Sequence, residues 1–293
     1  MKRIIKILLP VSIFLILAAY SNSFAQNNFL WQIQSKKSTV YILGSIHLLK
    51  EDVYPLSKTI ENAFARSGYL AVEANVNNVG IKNMQKFVTS GVYQDDDSLV
   101  THISEDTLET LTKETDRMGM PAQIVYKQRP WLLSLTLQSL ELMASGYKPE
   151  YGIDQHFLSK AGKKKKIIEL ESIDYQVALL SGFSEEEQEL FLLYTLKDLQ
   201  MSVEKVDSIV NAWKTGDAKL MESIIKESSI ADERLYPIYE KLINQRNKNM
   251  VSKIEGFLKG KGTYFVVIGA AHLLGEEGII QLLKEKGYTV AQM

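Results

Sequence analysis

A short pattern that occurs twice, once near each end of the chain, constrains the fold most strongly. The first copy places Gly44 and His47 directly after an apolar run, and the second places Gly269 and His272 after another. Both runs are rich in β-branched and aromatic residues, which predicts strands buried on both faces. A glycine at the strand end lets the backbone turn closely, so each histidine is expected at the mouth of the sheet, where open α/β sheets bind ligands. Adjacent strands would bring the two imidazoles to one place.

The remaining elements predict a single α/β domain over residues 26–293, with a central mixed sheet, flanking helices and a large helical insertion. A β-hairpin is predicted at the start of the mature chain, and its second strand carries the first histidine. A strand–helix–strand unit follows, and such units imply parallel pairing. Residues 184–260 are predicted to be helical, beginning with a capping box of Ser184 and Glu187. This block is expected to form a cap over the sheet.

The first 25 residues are predicted to be a signal peptide rather than part of the fold. Positive charges precede the apolar stretch of residues 7–20, and small residues ending at Ala25 form a cleavage site. The apolar stretch is short for a stable membrane span. The protein is therefore expected to be exported, to a periplasm or out of the cell. Membrane attachment is expected only if the apolar segment is retained as an anchor.

Composition excludes several other classes. The sequence is 45% hydrophobic and 24% charged, as is ordinary for a globular protein, and its net charge is -1. Removal of residues 1–25 takes away three positive charges and no negative ones, which gives a net charge of -4. Nucleic-acid binding is therefore not predicted. The absence of cysteine means that no thiolate nucleophile or disulfide framework is available, so a hydrophobic core must hold the mature chain together.

Glu73 adds a carboxylate to the two histidines. It lies near the end of a predicted strand at residues 69–74, the same end as His47, and its neighbours in the sequence are apolar. A buried carboxylate needs a partner or a metal. Two imidazoles and one carboxylate leave a position open for water or substrate, as in catalytic metal sites, and these ligands suit Zn, Mn, Co or Fe(II). A metal-bound water has a lowered pKa, which makes hydrolysis the default reaction.

The residues alone leave alternatives open. A histidine could act as general base without a metal, with Glu73 orienting the water or acting as acid. A duplicated strand–turn unit could also have kept its histidines for packing. Of the other two histidines, His156 could join the site or simply lie on its helix. His102 belongs to no motif and is interpreted as structural.

Taken together, these segments resemble the TraB/GumN family, and the resemblance spans about residues 28–292. The superfamily includes the Tiki proteins, which are secreted or membrane-tethered metalloproteases acting on Wnt. The segments that carry the resemblance are the two Gly-x-x-His motifs, Val72 with Glu73, Arg246 with Asn247, residues 269–278, residues 152–154, Leu170 with Glu171, and Gln176. No single motif is specific, but their order and spacing together are.

The resemblance implies a metal-dependent hydrolase site formed by His47, Glu73 and His272. It also implies a catalytic role for Arg246, whose guanidinium would bind a substrate carboxylate or stabilise an oxyanion. Asp154 is expected to orient a ligand imidazole. The residues expected to surround the ligands, in positioning or substrate-binding roles, are Gly44, Gly269, Asp154, His156 and Glu171.

The favoured function is therefore an exported hydrolase that uses a divalent ion such as Mn, Co or Zn. A metallopeptidase acting on a peptide is preferred, with a small-molecule substrate as the other possibility. The first alternative is an esterase-like hydrolase using His and Glu acid–base chemistry, as in the related erythromycin-esterase-like proteins, which hydrolyse a lactone. The second is a non-catalytic protein that binds a ligand such as haem or a peptide. Peptide cleavage should be sensitive to chelators, whereas a His-based esterase need not be.

Overall fold

A six-stranded sheet forms the centre of the computed structural model, which describes residues 27–230 and 232–293. The α/β fold class predicted from the sequence is confirmed. The order across the sheet is β4-β3-β5-β2-β1-β6. The strands are β1 Leu30–Gln34, β2 Ser38–Ser45, β3 Tyr69–Val72, β4 Lys166–Glu169, β5 Gly262–Gly269 and β6 Val290–Gln292.

The pairing of the strands places the two motif copies side by side. Strands β4, β3, β5 and β2 are parallel, whereas β1 is antiparallel to both of its neighbours, β2 and β6. The last pairs of the β2–β5 ladder are Gly44 with Ile268 and Ser45 with Gly269. The motifs are therefore offset by one residue along adjacent strands. Because β5 lies between β2 and β3, the strands of the first strand–helix–strand unit are parallel but are not neighbours.

Helices surround the sheet. They are α1 Lys58–Arg66, α2 Ile81–Gly91, α3 Glu105–Arg117, α4 Ala122–Val125, α5 Pro130–Ala144, α6 Ile153–Ala161, α7 Ile173–Ser181, α8 Glu185–Asp198, α9 Ser202–Thr215, α10 Ala218–Ile230, α11 Tyr236–Tyr239, α12 Gln245–Lys259 and α13 Ile279–Glu285. A π-helical segment, Glu240–Asn244, joins α11 to α12. Local signals start several of these helices, and the predicted capping box of Ser184 and Glu187 is formed at the start of α8.

Two apolar clusters account for most of the burial. In the first, Phe265 of β5 packs against Phe64 of α1 and Phe157 of α6, with ring centroids 5.4 and 4.8 Å away. The second lies among helices α3, α5 and α8, where Leu111 and Leu192 are fully buried. Helices α3 and α5 precede residue 184, so the helical layer draws on more of the chain than residues 184–260.

The predicted signal peptide, residues 1–25, lies outside the described residues, and export therefore stays a prediction. The division into a domain at 26–293 with a cap at 184–260 stays a prediction as well. Within the part of the chain that the structure describes, no helix is long and apolar enough to cross a membrane.

Candidate functional site

The turns that follow β2, β3 and β5 meet around Gly269. A Cβ atom at Gly269 would lie 3.1 Å from Oε1 of Glu73, 3.5 Å from Cδ2 of His272 and 3.9 Å from Nε2 of His47. The structure thus brings the three side chains predicted as metal ligands to one point at the edge of the sheet. Glu73 is the first residue after β3, which ends at Val72 rather than at residue 74.

His47 is held by a carboxylate. Its Nδ1 lies 2.9 Å from Oδ1 of Asp154, and Oγ of Ser45 donates to the same oxygen over 2.8 Å. The His47 ring lies in a cleft, where 60% of its side-chain surface stays open. Burial disfavours the charged imidazole, but the hydrogen bond to Asp154 and the charges of Asp154 and Glu73 outweigh it and raise the pKa of His47 to about 9. His47 is therefore a cation at neutral pH.

The turn that carries His47 is fastened to the start of α6. The N–H of Ile153 donates to the carbonyl of Ile46 over 3.1 Å. A Cβ atom at Gly152 would lie 2.2 Å from the carbonyl oxygen of His47, so only glycine permits this approach of the two backbones. The close contact places Asp154, in the first turn of α6, within reach of His47.

Glu73 belongs to a buried ion-pair cluster. Nη2 of Arg246 donates to Oε2 of Glu73 over 2.6 Å and to Oε2 of Glu171 over 2.7 Å, and Nε of Arg246 also donates to Glu171. The three side chains are only 12%, 11% and 3% exposed for Glu73, Arg246 and Glu171. Gln176 of α7 donates to both carboxylates. The N–H of Gly269 donates to Oε1 of Glu73 over 2.6 Å.

These contacts keep Glu73 ionised. Burial alone would raise its pKa, but His272, His47 and Arg246, together with the N–H of Gly269, lower the pKa of Glu73 to about 2. The remaining Arg246 contact is from Nη1 to the carbonyl of Leu242, at 3.0 Å. The guanidinium therefore holds Glu73 in place, and its predicted role in binding substrate stays a prediction.

His272 lies in a more enclosed environment. It ends the short 3-10 turn Ala270–His272 after β5 and is 4% exposed. Its Nδ1 lies 2.7 Å from Oδ1 of Asn247, whose Nδ2 donates to the carbonyl of Glu277. Because that second bond fixes the amide orientation, Nδ1 of His272 must carry the proton. Burial lowers the pKa of His272 to about 4, so the ring is neutral at pH 7 with a lone pair on Nε2.

The metal prediction can be compared with this geometry. Both imidazoles have Nδ1 held by a side-chain oxygen, as in histidines that bind metals through Nε2, although Nε2 of His47 must first lose its proton. The donor types therefore fit a divalent cation. As they stand, however, the described residues contain no group of three or more His, Cys, Asp or Glu side chains that could hold an ion. Both oxygens of Glu73 are engaged by Arg246 and the N–H of Gly269. The metal stays a prediction.

Gly44 and His156, which were also predicted to surround the ligands, make other contacts. The Gly44 carbonyl accepts a 2.7 Å hydrogen bond from Nε1 of Trp213 in α9, which ties the helical layer to β2. His156 packs against Tyr54, with ring centroids 4.8 Å apart, and its Nε2 lies 3.6 Å from Glu61. It therefore lies on its helix, away from the cluster. The half-buried His102 pairs with the more exposed Asp97 and Glu185, away from the cluster.

Besides Gln176, two residues that touch the site were not among the predicted site residues. Asn247 orients His272, and Ser45 shares Asp154 with His47. Each is adjacent to, or inside, a motif that the sequence displays, since Asn247 follows Arg246 and Ser45 lies within the first Gly-x-x-His. Neither polar side chain has a spacing pattern of its own, so proximity to a recognised motif is the available signal.

The site opens into a cleft with one apolar wall. A cavity of about 290 Å³ is lined on one side by the strand-end turns with His47, Glu73 and His272. Ile209 of α9 and Ile225 of α10 form part of the opposite side. A partly open cleft with perturbed ionisable groups, at the carboxyl ends of parallel strands, is where open α/β proteins commonly bind ligands or carry out catalysis.

Comparison with known sequences gives the particular family. The chain belongs to the TraB/PrgY/gumN family, whose sequence model matches residues 29–292. The resemblance seen in the motifs is thereby confirmed. No solved structure matches the chain.

Relatives occur in bacteria and animals. "Uncharacterized protein YbaP" of Escherichia coli is 25% identical over 257 residues, which cover 83% of this chain and 87% of the relative. An "Uncharacterized protein" of Treponema pallidum is 21% identical over 272 residues, with coverage of 87% and 80%. The "Metalloprotease TIKI homolog" of Nematostella vectensis is 25% identical over 207 residues, which are 62% of this chain and 42% of that protein.

Proposed function

We propose that the protein is a metal-dependent hydrolase that cleaves peptide bonds in the cleft between His47 and His272. One observation carries the proposal. The two motif copies place imidazoles beside one carboxylate, and in each ring Nδ1 is held by an oxygen, 2.9 Å away in Asp154 and 2.7 Å away in Asn247. This arrangement leaves the Nε2 lone pair of His272 available to a cation, and that of His47 once the His47 imidazolium has lost its Nε2 proton.

The charge of the site supports a divalent cation. The site holds three carboxylates, those of Glu73 and Glu171 paired with the Arg246 guanidinium and that of Asp154 paired with His47. With His47 protonated one negative charge is uncompensated, and two are uncompensated once His47 gives up its proton to bind an ion. A buried imbalance of this size is costly unless a cation balances it. A divalent ion would do so and would draw Glu73 and both imidazoles into its coordination sphere.

The chemistry would divide between the ion and the chain. A bound divalent ion lowers the pKa of a coordinated water and polarises a carbonyl group. Asp154 and Asn247 keep the imidazole protons on Nδ1 and fix the ring orientations. Arg246 keeps the Glu73 carboxylate ionised and aimed at Gly269. The apolar residues of α9 and α10 restrict water on the opposite side of the cleft, which strengthens electrostatic interactions within it.

The choice of a peptide as substrate comes from one relative. The Nematostella vectensis relative is named a metalloprotease, and its aligned region covers 62% of this chain. We extend that activity to this chain as a proposal, with an exported peptide or protein as substrate. Export by a cleaved signal peptide is part of the same proposal.

Metal content of the mature protein tests the proposal. Wild type, His47→Ala, Glu73→Gln and His272→Ala are dialysed against Mn, Co or Zn and analysed by mass spectrometry, with folding checked by circular dichroism. His102→Ala is the matched control, because His102 also pairs with carboxylates but lies elsewhere. We expect about one ion per chain in wild type and control, its loss in the three site variants, and chelator-sensitive cleavage of a peptide library. Metal-free wild type under every condition would contradict the metal-dependent mechanism.

The hydrogen bond between His47 and Asp154 favours a second candidate. A histidine oriented by a carboxylate can assist hydrolysis of an ester without a metal. Ester hydrolysis that persists in chelator and is lost in His47→Ala would support this second function.

A further inference from the structure

An apolar cavity lies in the helical layer beside the cleft. Its volume is about 400 Å³, within the range of small-ligand pockets. Side chains of α8, α9, α10 and the helical stretch from α11 through the π segment surround it. Its apolar lining residues are Phe191, Ile209, Ile224, Ile225, Leu235, Ile238, Leu242 and Ile243.

Three of the polar groups at this cavity are already paired. The hydroxyl of Tyr194 donates to Asp232, and Oγ1 of Thr195 donates to the carbonyl of Phe191. Asp198 pairs with Lys205 over 2.7 Å. A charged group entering the cavity would lose its hydration beside partners that are already engaged. An apolar group would enter without this cost.

The cavity adjoins the proposed catalytic cleft. Ile209 and Ile225 line both spaces, so these two side chains lie between the cavity and the cleft. The same helical stretch also runs from one space to the other. Leu242 and Ile243 of the π segment line the cavity, and the carbonyl of Leu242 accepts the hydrogen bond from Arg246. π-helical turns of this kind are frequent at functional sites.

We propose that this cavity is a specificity pocket for a bulky aliphatic or aromatic side chain that flanks the cleaved bond of a peptide substrate. This inference rests on the proposed peptide hydrolysis in the adjoining cleft. With the reacting carbonyl near His47, the neighbouring side chain passes between Ile209 and Ile225 into the cavity. The pocket therefore selects leucine-like and phenylalanine-like residues over small or charged ones.

Matched peptides test the pocket separately from catalysis. The probes are fluorescent heptapeptides of Gly and Ser that differ at one central position, which is Ala, Asp, Leu or Phe. Binding is measured by fluorescence anisotropy in EDTA, and cleavage is measured separately with metal added. We expect the Leu and Phe peptides to bind roughly 10- to 100-fold more tightly than the Ala and Asp peptides, because an apolar side chain is buried.

Variants of Ile209 and Ile225 test whether the preference for Leu and Phe peptides arises in this cavity. Ile225→Trp and, independently, Ile209→Trp fill the passage and should abolish the preference for Leu and Phe. The matched control is Ile124→Trp, a change at a 59% exposed isoleucine of α4, which should keep it. Equal binding of all four peptides, no binding of any, or a preference unchanged in both passage variants would overturn the pocket. A preserved binding preference without cleavage under any metal would instead overturn the proposed hydrolysis.

Discussion

The two copies of the Gly-x-x-His motif end in different environments. His47 is 60% exposed in its side chain and pairs with the carboxylate of Asp154, so it is a cation at neutral pH. His272 is 4% exposed and pairs with the amide of Asn247, so it is neutral. Both rings nevertheless hold a proton on Nδ1 and face the same carboxylate, that of Glu73.

The difference shows that the motif determines position and the partner determines charge. The glycine and the strand end place each ring at the edge of the sheet. Asp154 on α6 then stabilises the charged form of His47. His272, in contrast, is buried beside the neutral amide of Asn247 on α12 and stays uncharged. A site with one charged and one neutral imidazole around Glu73 can both hold an anionic group and donate a lone pair.

Removing the guanidinium behind Glu73 should have the largest effect, because both copies face this carboxylate. Arg246→Met leaves Glu73 and Glu171 buried without their counter-charge. We expect the free energy of unfolding in urea to fall by about 3–5 kcal/mol. Without Arg246, the Glu73 carboxylate that both histidines face would no longer be held in place.

A control substitution distinguishes the loss of the buried ion pairs from the effect of replacing any arginine. Arg66→Met removes an exposed arginine at the end of α1 and should change the free energy of unfolding by less than about 0.5 kcal/mol. Adding Glu171→Gln to Arg246→Met should restore part of the loss. If Arg246→Met costs no more than Arg66→Met, the buried ion pairs do not stabilise the site.

The two histidines should give stability profiles of opposite sign against pH. The folded-state pKa of His272 is about 4, below the ordinary value of about 6.5. Between these pH values His272 is protonated in the unfolded chain but not in the folded chain. The free energy of unfolding therefore falls on acidification from pH 6.5 to 4, by up to about 3 kcal/mol. The folded-state pKa of His47 is about 9, so its contribution is complete below pH 6.5 and is lost as pH rises through 9. Solvent screening makes the second effect smaller.

Urea unfolding between pH 4 and 9 in EDTA measures both profiles. Wild type is compared with His272→Gln and His47→Gln, and each difference curve isolates one ring. His272→Gln should remove the acid-side loss, and His47→Gln should remove the alkaline-side loss. Difference curves of the same sign for both variants would show that the rings have similar environments.

Exchanging the partners should have the smallest effect and should sharpen the comparison most directly. Asp154→Asn removes the carboxylate from His47, so its pKa should fall from about 9 toward 6.5. Asn247→Asp places a carboxylate beside His272, so its pKa should rise above 4. Changes of about one pH unit or more, equivalent to about 1.4 kcal/mol, are expected in NMR titrations of the imidazole protons. Unchanged titration of both rings would assign the difference to burial alone.

The sequence by itself determined the local features of the site. The apolar runs and their glycines predicted the two strand ends, the capping box predicted the start of α8, and the carboxylate among apolar neighbours identified Glu73 as a residue that needs a partner. These predictions depend on residues that are close together in the chain, so periodicity and spacing record them. The α/β class follows from the same patterns.

Only the tertiary structure decided which side chains meet. Glu73 contacts Arg246 from 173 positions away and the N–H of Gly269 from 196 positions away. Local patterns carry no record of such contacts, so the sequence left open whether a metal or a guanidinium is the partner of Glu73. The insertion of β5 between β2 and β3 is equally non-local. The charges of His47 and His272 also depend on the tertiary structure, because the elements packed around each strand end set the burial and the partners of each ring.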